Sequence, residues 1–121
     1  SGAAYRVALV QAMENMVILQ DAGAPVTFGT DAGPAGRFPG YFEHMELALM
    51  VGGGLTPTQA LLAATSVAAS CLGLDDIGTL EPGKWADFIV LDEDPTRDIT
   101  YTQMIDQVYV AGQPVRTKTE N

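Results

Sequence analysis

The stretch Val26–Gly33, with the sequence VTFGTDAG, decides how this chain is interpreted. Its first half is rich in strand-forming residues, and Gly29 allows another backbone or a ligand to approach closely. Asp31 follows where the predicted strand 25–30 ends, at the sheet edge where α/β enzymes hold their catalytic groups. A carboxylate there can bind a metal, accept a proton or cap the next turn, and residue chemistry alone leaves these alternatives open.

The residues around this stretch predict an α/β unit. Apolar residues at alternating spacings of four and three predict a helix over 3–22, which Gly23 and Pro25 end. The stripe expected to be buried is Tyr5, Leu9, Ala12, Met16 and Leu19. The Gly- and Pro-rich loop 32–40 lies at the same edge as Asp31, either as a surface connector or as a loop that covers a substrate.

Two more helices are predicted after the loop. The first spans 41–52, with Phe42, Met45 and Leu49 facing inward and Ala48 as a further candidate. The second spans 57–72 and begins with a capping box formed by Thr56 and Gln59 around Pro57. Its predicted buried stripe is Ala60, Ala64, Val67, Ala68 and Cys71.

The character of the chain changes near residue 74. Short strand-like runs at 77–80, 86–91 and 107–110 follow, and 111–115 resembles a closing hairpin. The sequence therefore predicts an α/β segment followed by a small β segment.

Composition excludes several classes of partner. The chain has 121 residues, 47% of them hydrophobic, which is typical of a globular domain. A formal net charge of −9 argues against binding to nucleic acid or to anionic membranes. No apolar run is long enough to span a membrane, and the single cysteine cannot form an internal disulfide. We therefore expect a cytoplasmic protein without a nucleic-acid or membrane partner.

Five motifs, taken in order, resemble one known family. They are Gly29–Ala32 (GTDA), His44–Leu47 (HMEL), Gly54–Pro57 (GLTP), Gly78–Phe88 (GTLEPGKWADF) and Val108–Gly112 (VYVAG). This order resembles the C-terminal part of the metal-dependent amidohydrolase superfamily, in the branch with imidazolonepropionase-like and prolidase-like enzymes. The run GxLxPGKxAD is the most specific of the five.

The resemblance implies an α/β fold with two parts. Residues 3–73 would be the last strand and helices of a (β/α)8 hydrolase barrel, with 26–30 as the eighth strand. Residues 74–116 would be the C-terminal part of a small β-sandwich, and 117–121 a tail.

The resemblance also implies a reaction and a site. Such enzymes hydrolyse amide or other C–N bonds of small molecules through a metal-activated water. Asp31 matches the aspartate that contacts the divalent metal, for which zinc is expected, and that acts as general base. His44 would lie near the mouth of the site and touch the substrate. Glu46 is expected to hydrogen-bond to a backbone group or an arginine, and Asp87 to have a turn or strand-pairing role.

One departure from the family leaves two alternatives open. The family's other metal ligands include a His-x-His pair, whereas this chain has one histidine. The chain is then either part of a longer hydrolase or a non-catalytic, oligomerising remnant that binds no metal itself. The unpaired edge of strand 26–30 would favour self-association, so a homo-oligomer is expected in both cases.

Overall fold

The computed structural model describes residues 2–33, 35–36 and 38–116. The helices are α1 (Gly2–Asp21), α2 (Phe42–Gly52), α3 (Pro57–Ala64), α4 (Ser66–Cys71) and a 3-10 helix (Ile99–Gln103). The strands are β1 (Phe88–Leu91), β2 (Ile105–Val110) and β3 (Gln113–Arg116). The predicted tail at 117–121 lies outside the described residues.

Helix α1 confirms the helix predicted over 3–22, but its buried stripe was predicted wrongly. Tyr5 is 80% exposed, and Leu9 and Leu19 are about half exposed. The packed residues lie near the end of the helix, where side chains of Met13 and Val17 approach the double glycine Gly53-Gly54. A Cβ at Gly53 would lie 2.9 Å from Met13 Cγ, so the missing side chain permits the contact. The first turns of α1 lack such a packing partner among the described residues, and their apolar side chains stay exposed.

The core forms between α2, α3 and the 3-10 helix. Its buried members are Leu47, Met50, Leu55, Ala60, Ala63 and Ile99. The inward face predicted for α2 was wrong, because Met45 and Leu49 are 37% and 40% exposed. Ile99 packs against the face that carries Leu47 and Met50, and the sequence pattern of α2 alone contains no information about that contact.

The helix predicted over 57–72 begins as expected but is interrupted. The Thr56 hydroxyl accepts from the Gln59 backbone N–H at 3.1 Å, and the Thr56 N–H donates to Gln59 Oε1 at 2.8 Å. Thr65 has φ −126° and ψ −97°, which ends α3 before α4 begins. Because the helical period does not continue through Thr65, Ala69 is buried and Cys71 is exposed, contrary to expectation.

The strand predicted over 25–30 is not formed in the described chain. Residues 24–30 have no strand assignment and pair with none of the described strands. The Phe28 N–H donates instead to the carbonyl oxygen of Ala63 at 3.1 Å. A strand requires a hydrogen-bonded neighbour, and the described chain places a helix on this side of the segment.

The β segment is a three-stranded antiparallel sheet in the order β1-β2-β3. Phe88 pairs with Tyr109, and their rings stack with centroids 4.5 Å apart. Asp87 Oδ1 accepts from the Ala111 N–H at 2.7 Å, which confirms its predicted role in a turn. The run 77–80 was wrongly predicted as a strand. Gly78 has φ +87° and lies so close to Ala69 that a Cβ would be 2.6 Å from the alanine Cβ.

Two Asp-x-Thr turns lead into and support the 3-10 helix. Asp94 Oδ1 accepts from the hydroxyl and backbone N–H of Thr96, and Asp98 Oδ1 accepts in the same way from Thr100. These hydrogen bonds stabilise the charged carboxylates, so the pKa of Asp94 and that of Asp98 lie below their ordinary values. Asp98 thereby caps the helix that carries Ile99 into the core.

Replacing Thr56 with alanine should destabilise the fold by about 1 kcal/mol, because the first turn of α3 loses its cap. Equilibrium urea denaturation measures the change. The matched control is Thr58→Ala, an exposed threonine in the same turn, which should change the free energy of unfolding by less than about 0.5 kcal/mol. Equal destabilisation by the two variants would contradict the capping role.

Replacing Thr100 with valine should raise the pKa of Asp98 towards its ordinary value, because the valine cannot donate the side-chain hydrogen bond. A carboxylate with a lowered folded-state pKa stabilises the fold above the unfolded pKa, about 3.9. That contribution is lost as the pH falls through the folded pKa. Carbonyl ¹³C titration by NMR measures both aspartates, and Asp94 serves as the internal control because Thr96 is unchanged. An unaltered Asp98 titration would disprove the assignment.

Candidate functional site

Asp31 follows the extended segment 24–30 in an unusual backbone conformation. Its φ is +50°, in the left-handed region, which aspartate tolerates better than most residues with a side chain. The side chain is exposed. Thr30 Oγ1 accepts from the Ala32 N–H at 3.1 Å and so closes a short turn around Asp31. Asp31 thus follows an extended run that pairs with none of the described strands, so the sheet edge predicted for it is not formed among the described residues.

Two glutamates of α2 bind backbone N–H groups on either side of the Asp31 loop. Glu46 Oε1 accepts from the Gly29 N–H at 3.2 Å, before the loop. Glu43 Oε2 accepts from the Gly40 N–H at 2.6 Å, at the end of the loop. The bond to Gly29 confirms the expectation that Glu46 binds a backbone group. Helix α2 thus contacts both ends of the segment that contains Asp31.

His44 lies between these glutamates and contacts the 3-10 helix. Its Nδ1 is 2.9 Å from Oγ1 of Thr102, a residue that is 8% exposed. The Thr102 hydroxyl donates to the carbonyl oxygen of Ile99 at 2.9 Å. Because a hydroxyl carries one proton, it must accept from His44, so Nδ1 carries hydrogen. In the neutral imidazole, Nε2 is then the unprotonated nitrogen.

A cavity of about 700 Å³ is lined by residues of α2, α3, the segment 78–80, β1 and β2. Glu43, His44 and Thr102 contribute polar groups to its wall. Most of the remaining wall is apolar, and it includes Phe28, Leu47, Leu61, Phe88, Leu91 and Val108. Asp31 is not among the lining residues. The structure therefore puts His44 on the wall of a concave site, whereas Asp31 is exposed and does not line this cavity.

The described residues do not fit a complete metal site. Within residues 2–33, 35–36 and 38–116, no three His, Cys, Asp or Glu side chains are grouped so that they could hold a metal ion. Catalytic zinc usually has three protein ligands. Asp31 could supply one carboxylate, and the other ligands would have to come from elsewhere.

No helix in the described part of the chain is long and apolar enough to cross a membrane.

The sequence profile of the Amidohydrolase family matches residues 6–115. The chain belongs to the amidohydrolase family. The match includes Asp31, His44 and Glu46, and it extends across both the helical segment and the sheet. The family assignment made from the five motifs is thereby confirmed.

Two curated relatives have the same name. The imidazolonepropionase of Deinococcus deserti is 49% identical over 85 residues, which cover 69% of this chain and 21% of the relative. That of Deinococcus radiodurans is 44% identical over 98 residues, which cover 78% of this chain and 24% of the relative. The chain thus spans less than a quarter of the length of these relatives.

Solved amidohydrolase-fold structures match most of the chain. A prolidase candidate from Bifidobacterium longum has a TM-score of 0.78 at 38% identity, over 90% of this chain and 27% of its own. Molinate hydrolase has a TM-score of 0.76 at 31% identity, over 84% of this chain and 26% of its own. Phenylurea hydrolase B has a TM-score of 0.70 at 33% identity, with coverages of 84% and 26%.

Sequence reasoning missed Thr102, which fixes the orientation of His44. The two residues are 58 positions apart, so no local pattern connects them. The available signal was Asp98-x-Thr100, an N-terminal cap that indicates a short helix over the following residues. With that helix predicted, a buried threonine on it would have been a candidate partner for a polar residue of α2.

Replacing Thr102 with valine should release His44 from a single tautomer, because the isosteric side chain cannot accept from Nδ1. We expect ¹⁵N NMR to show mainly Nδ1–H imidazole in the unmodified chain at high pH, and a mixture of tautomers in the variant. Thr79→Val is the matched control, since Thr79 lines the same cavity but donates to Glu81. A dominant Nε2–H tautomer in the unmodified chain would contradict the proton assignment.

Proposed function

We propose that this chain forms the C-terminal part of a (β/α)8 amidohydrolase. In this proposal, residues 3–73 belong to the barrel and residues 74–116 to a small β-sandwich. The family match over residues 6–115 and the short share of each relative that the chain spans support the proposal. The extended segment 24–30 would become the last barrel strand by pairing with a strand outside the described residues. Such pairing would supply the hydrogen-bonded neighbour that the segment now lacks.

The proposed reaction is the hydrolysis of an amide or another C–N bond in a small molecule. The names of the similar proteins support this class, because they include imidazolonepropionases, a prolidase candidate and a phenylurea hydrolase. A cyclic amide of the imidazolone type is the first candidate substrate, since the most identical relatives described above have that name. Dipeptides and ureas are the next candidates.

Asp31 is the proposed catalytic residue and metal contact. The observation that carries this assignment is its position: an exposed carboxylate directly after an extended segment, inside the family match. A carboxylate in that place can accept a proton from the hydrolytic water and return it to the leaving nitrogen. Zinc is the proposed metal, and its remaining ligands would come from residues that this chain does not supply. His44 is proposed as a substrate contact because it lines the cavity.

A non-catalytic, oligomerising role is the second candidate. Two observations favour it: the described residues lack a complete metal site, and α1 exposes several large apolar side chains. Tyr5, Val7 and Val10 are each more than half exposed. An apolar surface of this kind is typical of a protein–protein contact, and a second copy of the chain would cover it in a homo-oligomer.

A hybrid enzyme tests the catalytic proposal. Residues 6–115 of this chain replace the corresponding segment of the Deinococcus deserti imidazolonepropionase, and hydrolysis of a cyclic imidazolone, an Xaa-Pro dipeptide and a phenylurea is measured. We expect a folded hybrid that binds zinc and hydrolyses the imidazolone. Asp31→Asn should lower kcat by about 10²- to 10⁴-fold, because the amide cannot accept the proton.

The control is Asp75→Asn, which removes the same charge from an exposed turn outside the motifs and should leave kcat unchanged. A folded, zinc-loaded hybrid without activity on any of the three substrates would favour the non-catalytic alternative. Full activity in Asp31→Asn would remove Asp31 from the proposed mechanism.

A further inference from the structure

The segment before Asp31 is held from two sides. In extended backbone, successive N–H groups point in opposite directions. Here the Phe28 N–H donates to Ala63 of α3 at 3.1 Å, and the next N–H, that of Gly29, donates to Glu46 of α2 at 3.2 Å. The segment therefore lies between α2 and α3, and its backbone donates one hydrogen bond to each helix.

The two hydrogen bonds differ in chemical character. The bond to Ala63 joins two backbone groups, whereas the bond to Glu46 reaches a carboxylate, and hydrogen bonds to charged acceptors are the stronger kind. Glu46 is half-buried and lines a groove of about 270 Å³ whose other lining residues, including Met13 and Met16, are apolar. The hydrogen bond to Gly29 is itself exposed, and the other residues that line the groove offer the carboxylate no second polar side chain.

The backbone conformation of Asp31, two residues after Gly29, depends on this support. Asp31 has a φ of +50°, a left-handed conformation that costs aspartate less than most residues with a side chain but that still needs contacts which hold the backbone. On its C-terminal side, the Thr30 hydroxyl binds the Ala32 N–H. On its N-terminal side, the nearest of the hydrogen bonds described above is the one from the Gly29 N–H to Glu46.

We propose that Glu46 is a positioning residue for Asp31: its carboxylate holds the Gly29 N–H and thereby keeps Asp31 in its left-handed conformation at the end of the segment. The catalytic meaning of this role rests on the function proposed above. The positioning itself does not, because it is a property of the backbone between residues 29 and 32. Glu46 touches no reacting atom in this account and acts through Asp31.

NMR on the complete 121-residue chain tests the proposal without any activity assay. Amide hydrogen exchange reports the Gly29 hydrogen bond, and the three-bond HN–Hα coupling with the ¹³C shifts of Asp31 reports its φ. In Glu46→Ala, we expect Gly29 exchange to accelerate about tenfold, because the charged acceptor is lost. The Asp31 coupling and shifts should move towards values for a residue that samples several conformations.

Two further variants separate positioning from a general loss of structure. Glu46→Gln keeps an acceptor oxygen and should restore most of the Gly29 protection and the Asp31 coupling. Glu43→Ala removes the matched carboxylate that binds Gly40, so it should accelerate exchange at Gly40 and leave Gly29 and Asp31 unchanged.

The proposal is overturned if Glu46→Ala leaves the Asp31 coupling unchanged, or if Glu43→Ala alters Asp31 equally. In the hybrid enzyme, Glu46→Ala should lower kcat more than it raises KM, and it should have no further effect when Asp31 is already asparagine. A folded, zinc-loaded hybrid without activity on the three substrates, together with the expected NMR result, would count against the proposed hydrolase and leave the positioning role standing.

Discussion

The polar first turns of α2 hold together parts of the chain that are distant in sequence. Glu43, His44 and Glu46 bind Gly40, Thr102 and Gly29, respectively. Leu47 and Met50 follow on the same helix and enter the core beside Ile99. One helix therefore fixes the loop that contains Asp31, contributes to the core and contacts the segment that leads to the sheet.

This arrangement explains how a short chain with few buried side chains can hold Asp31 and His44 in defined orientations. Within the described residues, the core is small, and the alanines Ala60 and Ala63 are its least exposed members. Small side chains allow α3 to approach its neighbours closely, and the carbonyl of Ala63 is then available to Phe28. The hydrogen bonds of α2 add directional constraints that apolar packing does not provide. Asp31 and His44 are consequently oriented by backbone and side-chain bonds from different elements.

Several local sequence signals predicted local structure correctly. The capping box at Thr56, the end of α1 at Gly23 and the backbone contact of Glu46 were all predicted, because each depends on residue chemistry close in sequence or on a motif of the family. The inward faces of α1 and α2 were predicted wrongly, since burial depends on which element packs alongside. The first turns of α1 have little packed against them, and α2 is buried on the face that meets Ile99. The prediction of a strand at 25–30 was wrong for the same reason, because its pairing partner is not among the described strands.

The candidate site was predictable only in part. Asp31 and His44 were identified from motifs, whereas the hydrogen bond between His44 and Thr102 spans 58 positions and follows from the tertiary fold. The position of His44 on the cavity wall likewise depends on the sheet, whose register the sequence did not specify. The family motifs thus indicated the functional groups, whereas their contacts follow from long-range packing.

Helix α2 contacts the 3-10 helix that lies between β1 and β2, so we expect the helical segment and the β segment to unfold as one unit. Equilibrium urea denaturation tests this expectation directly. Far-UV circular dichroism follows mainly the helices, and the fluorescence of Trp85 follows the surroundings of β1. Trp85 is the single tryptophan and lies just before β1, where its indole N–H donates to Asp76. We predict coincident transitions with one midpoint. If the Trp85 transition were complete while the circular-dichroism signal was still native, the two segments would not be coupled through α2.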